Sequence, residues 1–104
     1  MSNKKQALAK FEKAIQERDK FIAEGLEGYP VRLYKVQISI SEKKSGRYST
    51  LDVYTVGSFF TVEADRDFIG KNIRDTMDAI IRICAFQDRK IKLTGLDIKL
   101  IEER

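Results

Sequence analysis

The chain has 104 residues, 42% of them hydrophobic and 35% charged, with a formal net charge of +4 and a pI near 9.2. That length fits one domain with one core, and ten aromatics with many branched aliphatics argue against a disordered tail. There is no histidine and a single cysteine, Cys84, so an internal disulfide, a multi-cysteine metal site and histidine-based acid–base chemistry are all excluded.

The first segment, 4–24, reads as an amphipathic helix. Leu8, Phe11, Ile15 and Ile22 form its apolar stripe, with Ala7, Ala14 and Phe21 beside it. Arg18 interrupts the stripe and is expected to lay its aliphatic stem along apolar surface. Gly25 and Gly28 end the helix, and Tyr29-Pro30 prevents its resumption.

A meander is expected over 31–64. In 31–41, Tyr34, Val36, Ile38 and Ile40 share one face opposite Lys35, Gln37, Ser39 and Ser41. Glu42 to Gly46 suits a hairpin loop, and 47–56 alternates again. After a turn at Gly57-Ser58, Phe60, Val62 and Ala64 read as a short third strand. The second helix is expected at 66–85, with Asp65 or Asp67 at its start. Its inward stripe is Ile69, Ile73, Met77, Ile80 and Cys84, with Ile81 alongside. A last strand over 90–101 changes phase at Gly95, where a β-bulge or a short turn would reconcile Ile91 and Leu93 with Leu96, Ile98 and Leu100.

The reading is therefore a single α+β domain spanning 1–104, in the order α-β-β-β-α-β. A small antiparallel sheet would carry both amphipathic helices on one face. The order helix–three strands–helix resembles that of double-stranded-RNA-binding domains. The second helix opens Asp65-Arg66-Asp67-Phe68-Ile69-Gly70-Lys71 without a lysine cluster, so the likeness stops at element order.

No catalytic constellation is visible. Cys84 lies in an apolar helical stripe, and Ser39, Ser41, Ser49 and Ser58 lack a partnering base. No glycine-rich phosphate loop occurs, and Asp65, Asp67, Asp75 and Asp78 fit capping and ion pairing rather than metal binding. No catalytic residue, cofactor or metal is expected.

The reading that remains is a small non-enzymatic binding or regulatory protein that docks on a macromolecule, a protein in the first instance. A nucleic-acid-binding module is the alternative. Arg32, Tyr34, Lys43, Lys44, Arg47, Tyr48 and Tyr54 would then set cations against phosphates and rings against bases. A further alternative is an assembly subunit, as in a viral particle. Leu8, Phe11, Ile15 and Ile22 are candidates for self-association into a homo-oligomer. With no secretory h-region and no apolar run long enough for a bilayer, a cytoplasmic location without membrane contact is expected.

Overall fold

A computed structural model describes residues 3–43 and 45–104. Helix α1 spans Asn3–Ala23, strand β1 Arg32–Glu42, strand β2 Tyr48–Gly57, helix α2 Val62–Phe86 and strand β3 Ile91–Glu103. The α+β class holds, with a three-stranded antiparallel sheet in the order β2-β1-β3. The expected third strand at 60–64 is replaced by the start of α2, so the element order is α-β-β-α-β. Thr61 is the reason. In extended backbone, it accepts a 3.0 Å hydrogen bond from the Ala64 amide on its hydroxyl, and Glu63 and Asp65 follow in the positive field of the first turn.

Helix α1 closes as the glycines predict. Gly25 takes a φ of 83°, while the amides of Gly25 and Leu26 donate to the carbonyls of Ile22 and Phe21. This is a Schellman ending, which satisfies the last carbonyls and turns the chain toward β1.

The two helices lie on opposite faces of the sheet, which corrects the expectation of a single covered face. Successive side chains of a strand alternate between faces. Val31 and Leu33, ahead of and within β1, pack with Ala7 and Phe11 of α1, whereas Tyr34, Val36 and Ile38 pack with Ile69 and Met77 of α2. Helix α1 covers only the end of the sheet where β2 finishes, against Tyr54 and Val56, and the opposite half of β2, residues 48–52, is exposed. Helix α2 lies over β1 and β3, touching Leu93, Leu96, Ile98 and Leu100.

The phase change in the last strand is a bulge. Ser39 faces Gly95 while Ile40 faces Leu93, leaving Thr94 unmatched, and Ile101 is skipped in the same way between Glu102 and Leu100. The β1–β2 ladder runs without a break from Arg32↔Gly57 to Ser41↔Tyr48. At the hairpin end, Arg89 pairs with Glu42 at 3.1 Å and the Lys43 amide donates to the Lys90 carbonyl, tying the α2–β3 turn to the hairpin. That pairing, led by the Arg89 hydrogen bond, lowers the pKa of Glu42 and raises that of Arg89.

Candidate functional site

Arg32 and Tyr34 stand two apart on β1 and so point to the same face. Asp65, in the first turn of α2, meets them there. The Asp65 carboxylate accepts from Tyr34 Oη at 2.6 Å, from Arg32 Nη1 at 3.0 Å and from the Phe59 amide at 2.9 Å. Arg32 also donates to the carbonyls of Phe59 and Phe60. Its Nε forms an ion pair with Glu103 Oε1 at 3.2 Å without hydrogen-bond alignment, and is the one buried side-chain nitrogen or oxygen lacking a hydrogen bond among the described residues. Gly57 is required beside this cluster, since a Cβ there would fall 2.6 Å from Asp65 Cγ.

Burial, then the bond to anionic Asp65, pushes the Tyr34 hydroxyl well above the usual phenol pKa. Burial works against the charge on Arg32, but the hydrogen bond to Asp65 and the charge of Glu103 outweigh it and raise its pKa. The cluster holds its protons firmly and is nearly closed to water, with Arg32 5%, Tyr34 0% and Asp65 1% exposed. It acts as an anchor, fixing the 58–61 turn and the start of α2 to the sheet.

Beside the anchor, α2 and β2 diverge. The gap is a groove of about 440 Å³, floored by Val36 and Val53 and walled by Phe68, Ile69 and Ile73, with Asp65 at its closed end. Phe59 caps it, packing edge-to-face on Phe68 with ring centroids 5.2 Å apart. The flank of α2 that continues this wall carries Phe68, Asn72, Thr76, Ala79, Ile83 and Phe86, spaced four, four, three, four and three apart. None is charged and all are exposed, Ile83 at 59% and Phe86 at 92%. Leu51, 56% exposed, extends the opposite wall along β2.

The residues singled out from the sequence do not converge. Arg32 and Tyr34 are buried in the anchor. Tyr54 is half-buried on the α1 side of the sheet, with Lys4 Nζ 5.6 Å from its ring centroid. Tyr48 is exposed near the hairpin, where hydrogen bonds with Ser39 and then Thr94 lower its pKa. Lys43 and Arg47 are exposed at the hairpin turn, and Lys44 lies outside the described residues. Of the self-association candidates, Phe11 is buried on its own sheet and Ile15 half-buried beside it. Leu8 and Ile22 are 38% and 50% exposed.

The groove itself was missed. Its signal was available as a second stripe on α2 beside the inward one, which leaves the helix uncharged over a wider arc than one sheet face can cover.

Among the described residues, no group of three or more His, Cys, Asp or Glu side chains gathers to hold a metal ion. Cys84 is buried. No described helix is long and apolar enough to cross a membrane. Comparison of the chain with protein-family models, with curated proteins and with solved structures finds no match. What fold and site define is thus a class by architecture: a three-stranded α+β domain with one helix on each face and an open apolar groove.

Proposed function

We propose that this chain is a non-enzymatic docking protein whose α2–β2 groove receives an amphipathic helix of a protein partner. The observation that carries the reading is the uncharged flank of α2, from Phe68 to Phe86, facing an equally uncharged wall on β2 and left uncovered by the chain's own core. The uncharged, largely apolar lining suits helix-in-groove recognition, in which apolar anchors at spacings of three and four enter an apolar slot. The anchor supports this role because it holds the groove's closed end rigid, which limits the ordering cost of binding.

The nucleic-acid alternative draws less support from the geometry. It needs rings and cations on one open face, whereas Tyr34 is buried on the α2 side and Tyr54 is half-covered on the α1 side. The test is a photoreactive amino acid at Phe68 or Ile83, with one at Lys13 on the outer side of α1 as control, followed by cross-linking in the native host. The expected result is one discrete protein adduct from Phe68 and Ile83, absent from Lys13 and abolished by Asn72→Arg. Adducts that vanish on nuclease treatment, or equal labelling from all three positions, would overturn the reading.

A further inference from the structure

We infer that β2 is an assembly edge: it pairs antiparallel with β2 of a second copy of this chain, and the docking groove is complete only in that pair. The inference rests on the groove described above. The sheet has two outer strands, β2 and β3, and they are protected very differently. Edge strands are ordinarily kept from pairing by lysines, prolines or bulges. Strand β3 has such devices, with Lys92 and Lys99 along it and two register shifts in its ladder. Strand β2, YSTLDVYTVG, has ten residues with no lysine, arginine or proline, one charge at Asp52 and an unbroken register.

The exposed surface leaves room for such a contact. The chain exposes 7581 Å², against roughly 6,000 Å² for a compact monomer of its mass. A standard interface removes roughly 1,600 Å² in total, about 800 Å² from each partner. The β2 edge is about 34 Å long on a body 25 Å deep, so contact along it offers an area on that order.

Charge selects the register. A two-fold axis through Asp52 would set two carboxylates opposite each other, which is unfavourable. An axis through Val53 instead places Asp52 opposite Tyr54 of the second copy, whose ring carries the Lys4 ammonium. Asp52, which lies 3.7 Å from Lys35 Nζ of its own chain, then also faces Lys4 of the second copy, twice per interface by symmetry. The same axis sets the α1-covered half of one β2 beside the bare 48–52 half of the other, so the two α1 helices do not collide.

Pairing changes the groove. With strands about 4.8 Å apart and each α2 over β1 and β3, the two α2 axes stand on the order of 19 Å apart. That is about twice the 8–10 Å spacing of packed helices, room for one helix between them. The two half-grooves become a single trough floored by Leu51 and Val53 of both copies.

The experiment uses the full chain with Cys84→Ser. Val53→Cys should be joined to a second copy by a short bismaleimide, giving a species of twice the 12.0 kDa mass, whereas Lys99→Cys on β3 should not. By sedimentation, Lys4→Asp and Asp52→Lys should each weaken the dimer about tenfold, and the double variant should recover most of that loss. Leu51→Lys should yield monomer with an unchanged circular dichroism spectrum. A wild-type mass of 12.0 kDa throughout the micromolar range, or cross-linking through Lys99→Cys instead of Val53→Cys, would overturn the inference. A Phe68 photoadduct that persists in such a monomer would leave the docking groove standing while the pairing fell.

Discussion

Asp65 shows how much one side chain can organise in a thin domain. Its carboxylate, 1% exposed, gathers three donors from β1 and the 58–61 turn and offsets the one cation buried with it. Removing it by Asp65→Ala leaves the buried Arg32 charge with only the half-exposed Glu103 carboxylate, 3.2 Å away. Because a poorly compensated buried ion is costlier than a missing pair, the loss is expected to be about 3 kcal/mol by urea denaturation, and the double variant Arg32→Leu/Asp65→Ala should recover part of it. Tyr34→Phe removes one bond of the network and should cost about 1–2 kcal/mol at neutral pH. Its pH dependence follows from the direction of the shift. Tyr34 has a folded pKa raised above its ordinary value of 10.0, so its contribution is intact below that pH and is lost as pH rises toward the folded value. The stability difference between wild type and Tyr34→Phe should therefore hold constant from pH 7 to 9 and shrink above about pH 10. A difference that stays flat to pH 11.5 would mean the hydroxyl ionises alike in folded and unfolded chains.

At the scale of elements, the start of α2 decides both topology and site. Thr61 is the cap, and Thr61→Ala should lower stability by about 1 kcal/mol in thermal or urea unfolding, whereas Asp67→Ala should stay within about 0.5 kcal/mol. Equal losses at the two positions would assign the cap elsewhere. The sequence misleads here because Phe60, Val62 and Ala64 alternate as a strand would, and a three-residue alternation is too short to outweigh a capping threonine followed by Glu63 and Asp65. Longer patterns are read better, although Ile80, on the expected inward stripe of α2, is 41% exposed. The two β1–β2 segments and the α1 stop at Gly25 sit where periodicity and glycine place them, and the phase change at Gly95, open between bulge and turn in the sequence, is a bulge. The arrangement of helices on opposite faces was foreshadowed by Val31 and Leu33, which are apolar on the parity opposite to Tyr34 and Val36. Their meaning depends on which helix reaches them, a long-range fact that local pattern does not carry. The anchor was illegible for the same reason, since Arg32 and Asp65 are 33 residues apart and each has an ordinary surface explanation on its own. The groove was half legible, because the stripe from Phe68 to Phe86 is present in the sequence, but the inward stripe from Ile69 to Cys84 overlaps it.

The whole molecule is long for its mass, 57 × 25 × 21 Å with a radius of gyration of 16.8 Å, where about 13 Å would suit a compact chain of this length. The excess lies in the half of the sheet that α1 leaves bare and in the end of α2 beyond Met77, where Ile80, Ile83 and Phe86 face outward. Elongation spreads the core into two small clusters on opposite sides of β1, so neither face is sealed by its own helix. Covering the remainder with a second copy would add to the stability of the chain, and stability shared between copies depends on concentration by mass action. If β2 pairs with a second copy, the urea midpoint should rise with protein concentration, by the equivalent of about 1.4 kcal/mol per tenfold where unfolding and dissociation are coupled. Leu51→Lys should make the midpoint independent of concentration, because it disables the edge and leaves both clusters in place. A wild-type midpoint that does not move over a hundredfold range would show that the two clusters suffice alone and that β2 does not pair.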